Sequence, residues 1–256
     1  MARLAEIGGK RLPFLRWSFV RMGLGMKRLM TEWQVGDGRE EALAEHVLAN
    51  ARAGDVEDAI RAVDEFCYGQ SFMMNVGDEK GEILDAAIRR ADPQRLLELG
   101  TYVGYSALRT ARVMPAEAHL YTIEFNPANS VLARRVLLHA GVGDRVTVVD
   151  GTLGDGGATI GVLESEHGFE KGSLDFAFID HDKDAYLPDL ERILDRGWLR
   201  QGAIVVADNV KFPGAPKYRE YMREHTGEWR TTEHETHVEY QTMIKDLVLE
   251  SEYLAG

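Results

Sequence analysis

Residues 96–106 read Leu96-Leu97-Glu98-Leu99-Gly100-Thr101-Tyr102-Val103-Gly104-Tyr105-Ser106. A short apolar run leads into a turn with two glycines and then into a stretch with helical spacing. Four more such runs follow, at Leu120–Ile123, Val146–Val149, Leu174–Ile179 and Ala203–Ala207. Helical segments separate them, at about 104–114, 127–140, 155–165, 184–196 and 215–224. Continuous apolar strands alternating with helices predict a parallel sheet covered on both faces. The fold class expected is therefore α/β, a doubly wound and mostly parallel sheet. Asn126-Pro127 is a helix start, with Asn as cap and Pro in the first turn. The end breaks the pattern: Trp229–Thr232 and Val238–Ile244 follow each other with no helix between, which predicts an antiparallel hairpin at the sheet edge. Upstream of 96, the spacing predicts helices over Arg39–Ala51, from a cap at Asp55 through Phe66, and through Ile83, Leu84, Ala87 and Ile88. These extra N-terminal helices are expected to lie on the sheet.

The chain has 256 residues and a formal net charge of −12. Excess acid argues against a nucleic-acid binder, which needs Lys and Arg on its surface. Its single cysteine, Cys67, excludes an internal disulfide and fits a reducing, cytoplasmic setting. The charge is unevenly spread. Residues 1–30 hold Arg3, Lys10, Arg11, Arg16, Arg21, Lys27 and Arg28 against Glu6 alone, with apolar residues between them. The arginines interrupt any signal-peptide core, and no apolar run is long enough to span a bilayer. Arg16 and Arg21 lie about 140° apart on a helical wheel, so the polar face is not clean. A packing or oligomer-contact arm fits better than contact with a membrane surface. Residues 1–36 are read as this basic, apolar arm and residues 37–256 as a single domain. The oligomeric state is left open.

Ligands of an open α/β sheet bind beyond the carboxyl ends of its strands. After the first strand, Gly100 and Gly104 are spaced G-x-x-x-G, which permits a tight turn and close backbone approach. The nicotinamide fingerprint G-x-G-x-x-G is absent. Glu124 stands 24 residues beyond Gly100, at the end of the second strand, where a carboxylate can accept both ribose hydroxyls. The two features together indicate a nucleoside-bearing ligand without naming it. The fourth strand ends in Asp180-His181-Asp182-Lys183-Asp184 and the fifth in Asp208-Asn209. Turn chemistry explains either cluster singly. Together, Asp180, Asp208 and Asn209 offer three hard oxygen ligands, a set that suits Mg²⁺. A lysine beside such an ion can serve as a base, which makes Lys183 a candidate. Glu239, in His237-Val238-Glu239-Tyr240, is either an edge-strand carboxylate or a substrate contact.

The combination resembles the catechol O-methyltransferase family of cation-dependent, S-adenosylmethionine-using enzymes. The resemblance runs from about Trp33 to Ile244 and rests on MNVGDEKG (74–81), LLELGTYVGYSALR (96–109), IEFNP (123–127), FIDHDKDAYLPD (178–189), ADNVKFPG (207–214) and VEY (238–240). It implies a Rossmann-like methyltransferase fold and methyl transfer to a hydroxyl of a catechol. It implies that Val76 meets the methionine end of the cofactor, that Glu98 holds its amino group, Ser106 its carboxylate and Glu124 its ribose, and that Gly100, Thr152, Asp180 and His181 lie beside it. Asp180, Asp208 and Asn209 would hold Mg²⁺. Lys183 would be the base, Glu239 would bond the second hydroxyl, Asn209 would lie beside the substrate, and Pro213 and Phe72 would be apolar walls. The family usually carries tryptophans where Asp182 and Phe72 stand here, so the particular substrate and the preferred hydroxyl stay open. Two other readings are a methyltransferase for a larger phenolic ester or other vicinal diol, and a non-catalytic nucleoside-binding protein.

Overall fold

In the computed structural model, residues 34–255 are described, together with 21, 24 and 25. Of the arm read over 1–36, residues 1–20, 22, 23 and 26–33 therefore lie outside the described residues. Three helices come first: α1 (Arg39–Asn50), α2 (Val56–Gly69) and α3 (Gly77–Ala91). Asp55 caps α2 by accepting the Asp58 N–H at 3.0 Å, as its sequence position predicts. Then strands and helices alternate: β1 (Arg95–Leu99), α4 (Tyr105–Val113), β2 (His119–Glu124), α5 (Pro127–His139), β3 (Val146–Asp150), α6 (Ala158–His167), β4 (Leu174–Ile179), α7 (Tyr186–Asp195), β5 (Leu199–Ala207), α8 (Pro216–Glu224), β6 (Trp229–His237) and β7 (Lys245–Tyr253). Asn126 caps α5 through the Ala128 N–H at 3.0 Å. No helix among the described residues is long and apolar enough to cross a membrane.

The seven strands form one sheet in the order β3-β2-β1-β4-β5-β7-β6. Strands β1 to β5 are parallel, and β7 pairs antiparallel with both β5 and β6. Side chains alternate between the faces. Leu96, Phe176 and Val206 join a core with α1–α5, while Leu97, Ala177 and Val205 join one with α6–α8. Covering on both faces explains why these strands read as continuous apolar runs. The strand order reverses between β1 and β4, and a crevice opens at such a point.

One expectation needs correction. The hairpin is present at the sheet edge, but Val238–Ile244 is its turn, and the second strand is Lys245–Tyr253. Gln241 folds that turn. Its Nε2 donates to the Val238 and Ile244 carbonyls at 2.7 and 3.1 Å, and its Oε1 accepts from the Met243 and Ile244 N–H groups at 2.6 and 2.7 Å. A buried amide that satisfies four backbone groups overrides a segment whose composition would suit a strand.

Candidate active site

Backbone hydrogen bonds continue past the strand ends. Gly100 N–H donates to Ile123 O at 3.0 Å, Asp180 N–H to Leu99 O at 2.9 Å, and Asp208 N–H to Ile179 O at 3.1 Å. The loops after β1, β4 and β5 therefore start in register and face one crevice. Gly100 has φ +103°, and a Cβ there would lie 2.4 Å from the Asp180 carbonyl oxygen. Only glycine lets the first turn pass beneath the fourth strand's loop.

On the β1 side, Glu98 is fully buried. Its Oε1 accepts from the Thr122 hydroxyl at 2.6 Å, while its Oε2 is buried without a hydrogen-bond partner. Burial pushes this carboxyl up to about 8, against the pull of Thr122. Ser106 is buried in the first turn of α4. Glu124 accepts the Tyr102 N–H at 2.7 Å through Oε2, and the Asn126 N–H at 2.9 Å and Asn129 Nδ2 at 3.4 Å through Oε1. Burial raises its carboxyl as well. A carboxylate has about four acceptor positions, so one on Oε2 stays open to a ribose hydroxyl. The Tyr102 hydroxyl donates to Glu40 Oε1 at 2.9 Å, and the same oxygen accepts the Val35 N–H at 3.0 Å. The segment before α1 is thereby tied to the glycine turn. Thr152 is exposed after β3, four strands from the end of β5 or roughly 19 Å across the sheet. An elongated ligand is needed to touch both.

On the β4 and β5 side, Lys183 Nζ donates to Asp180 Oδ1 at 2.9 Å and to the Tyr186 hydroxyl at 2.5 Å. That hydroxyl donates to the Asp208 carbonyl at 2.9 Å. Lys183 lies in a short 3₁₀ turn, 183–185, just ahead of the expected helix. His181 bonds Asp189 through Nε2 at 2.9 Å and stacks on Tyr186, while its Nδ1 is buried with no partner. Asp208 is fully buried; its Oδ1 accepts the Asn209 N–H at 2.6 Å. Asn209 has φ +52°. Its Nδ2 donates to Asp246 Oδ2 at 2.8 Å and to Glu239 Oε1 at 3.1 Å. Both amide hydrogens are engaged, which leaves Oδ1 as the atom able to ligate a cation.

The fourth side of the site comes from α3. Val76 is buried ahead of it, and a Cβ on Gly77 would meet the Glu239 Cβ at 3.2 Å. Lys80 Nζ lies 2.7 Å from Asp208 Oδ2 and 3.3 Å from Asp246 Oδ2, and it bonds Glu239 Oε1. The wall residues part company: Pro213 is exposed after β5, and Phe72 is buried with its carbonyl accepting Arg39 Nη1 at 2.7 Å.

Sequence reasoning missed Lys80, Tyr186 and Asp246. Lys80 had a signal. It stands four residues before Leu84 and eight before Ile88, on the stripe that α3 buries. Asp246 was hidden by the misplaced strand.

Buried Glu98 Oε2 and His181 Nδ1, unpartnered at neighbouring strand ends, fit a cationic and polar ligand such as S-adenosylmethionine. Among the described residues no three His, Cys, Asp or Glu side chains form a ready metal cage. The oxygen set Asp180, Asp208 and Asn209 includes an amide and fits Mg²⁺, an ion that keeps several waters.

Residues 56–237 match the O-methyltransferase family. The chain is 60% identical over 234 residues to a probable O-methyltransferase of Mycobacterium tuberculosis, covering 91% of this chain and 100% of that one. It is 41% identical over 216 residues to catechol O-methyltransferase B of Danio rerio, covering 84% and 79%. In fold it is similar to the O-methyltransferase of Bacillus cereus solved in complex with SAH, with TM-score 0.59, 21% identity, and coverage of 77% and 90%.

Proposed function

The chain belongs to the O-methyltransferase family, and from that premise we propose that it moves a methyl group from S-adenosylmethionine to one hydroxyl of a catechol, with Mg²⁺ held by Asp180, Asp208 and Asn209. The observation that carries this reading is one hydrogen-bonded network. It runs Asp180–Lys183–Tyr186–Asp208–Asn209–Glu239 across the ends of β4 and β5 and the β6–β7 turn. A pocket that only bound a nucleoside would need no amine there.

When bound, the sulfonium supplies an electrophilic methyl and the divalent ion supplies Lewis acidity toward a phenolic oxygen. The chain's own residues do the rest. Glu98 presents a buried oxygen to the methionine ammonium, Ser106 faces its carboxylate, Val76 packs beside it, and Glu124 takes the ribose. Lys183 Nζ, as the neutral amine, takes the proton of the attacking hydroxyl and becomes the ammonium. Glu239 accepts a hydrogen bond from the second hydroxyl, which fixes the ring and selects vicinal diols. Holding the two substrates in line supplies much of the rate. The catechol-specific names among the relatives support the substrate class.

Labelled S-adenosylmethionine is incubated with simple catechols, monophenols and larger catechol esters, with and without a chelator, and the products are identified. Transfer to catechols that stops on chelation and returns with Mg²⁺ is expected. Equal transfer to monophenols, or full activity in excess chelator, would overturn the reading.

A further inference from the structure

Lys80 is a charged group of the site to which the methyl transfer assigns no role. Its side chain is 1% exposed and its ammonium contacts Asp208, Glu239 and Asp246. These come from three places: the loop after β5, the β6–β7 turn and the start of β7. A lysine is almost never this buried unless paired. Three carboxylates packed round one buried amine favour its charged form. Asn209 Nδ2 bonds the same Glu239 and Asp246 oxygens. Without the ammonium, the buried carboxylates of Asp208 and Asp246 and the half-buried one of Glu239 would face one another around one amide.

We propose that Lys80 is a positioning residue, a resident cation that holds Glu239 and Asp208 toward the substrate and limits how tightly the site takes up a divalent ion. This rests on reading Asp180, Asp208 and Asn209 as a metal site. Two effects of opposite sign follow from removing the charge. The site becomes more negative and binds a divalent ion more tightly. Glu239 loses its tether and turnover falls. A lysine that only stabilised the fold would lower stability without tightening the ion.

The test is Lys80→Met, which keeps the stem and removes the charge. Mn²⁺ binding is measured by calorimetry and electron paramagnetic resonance, without cofactor or substrate. Mn²⁺ should bind roughly tenfold more tightly. Turnover should drop about 10–100-fold, with KM for S-adenosylmethionine nearly unchanged. A folded variant with unchanged or weaker Mn²⁺ binding, or with normal turnover, overturns the proposal. If Lys80→Met does not fold, Lys80→Met/Asp246→Asn restores the charge balance. It should bind Mn²⁺ like the parent and still turn over slowly, and recovery of turnover overturns the positioning role. A parent protein that binds no Mn²⁺ ends the metal reading alone, and the turnover of Lys80→Met still decides whether Lys80 positions Glu239.

Discussion

A carboxyl held at about 8 in the folded protein, as Glu98 is, ties stability to pH with a definite sign. Between its ordinary 4.5 and about 8, the folded state keeps a proton that the unfolded chain has released. Stability then falls as pH rises, by at most about 1.4 kcal/mol per pH unit. Glu98→Gln removes this dependence. The cofactor-free variant should melt higher than the parent at pH 8, with the gap closing toward pH 5; thermal melts across that range check it. Binding a cation beside Glu98 should release a proton near pH 7, read by calorimetry in buffers of different ionisation enthalpy, and Glu98→Gln should lose both that release and affinity. At Lys183 the expected loss on Lys183→Ala is about 10²–10⁴-fold in turnover, the usual range for a general base. Lys183→Arg keeps charge but not basicity, so it should stay slow at neutral pH and recover partly at high pH. An arginine variant near parental turnover would make Lys183 a charge anchor. The meeting of Asp180, Asp208 and Asn209 at adjacent strand ends was legible because strand ends are where such a sheet binds. Lys80 was legible only as a position on the stripe that α3 buries, and its charge, between Glu79 and Glu82, disguised it as part of a solvated turn of helix.

Short elements carry the working residues. The β6–β7 turn owes its shape to Gln241, two residues beyond Glu239. Gln241→Ala removes four hydrogen bonds to the backbone, each worth about 0.5–1.5 kcal/mol net. A loss of roughly 2–6 kcal/mol in urea unfolding is expected, together with lower turnover and faster hydrogen exchange over 238–244. Unchanged exchange there would mean that the turn holds without the amide. This is also where sequence reading failed. Val238, Tyr240, Thr242 and Ile244 alternate as a strand does, and strand-forming composition cannot reveal that one side chain satisfies the local backbone. The helices were read more closely, because caps such as Asp55 and Asn126 act within a few residues of themselves.

At the scale of the molecule, the parallel order was legible because a sheet buried on both faces leaves uninterrupted apolar runs. The placement of β7 inside the sheet was not, since pairing partners far apart leave no local mark. The described residues also predict how far the N-terminal side can be cut. A chain starting near Thr31 keeps Gln34 on Asn129, Glu40 on Tyr102 and Arg39 on the Phe72 carbonyl, so it should keep its turnover. One starting at Ala42 loses all three ties and should lose cofactor affinity; calorimetry of the two proteins distinguishes them. The position of β7 also bears on biosynthesis. A nascent chain that has emerged only as far as β6 has nothing on which to hang that strand, because β6 pairs with β7 and β5 waits for the same partner. Until β7 leaves the ribosome, β5 shows an open edge of unpaired N–H and C=O groups to whatever lies nearby, another growing chain included. The hazard on the polysome is therefore concentrated between the emergence of β5 and that of β7, and Lys80, made earlier, waits through that interval for the carboxylates that hold it.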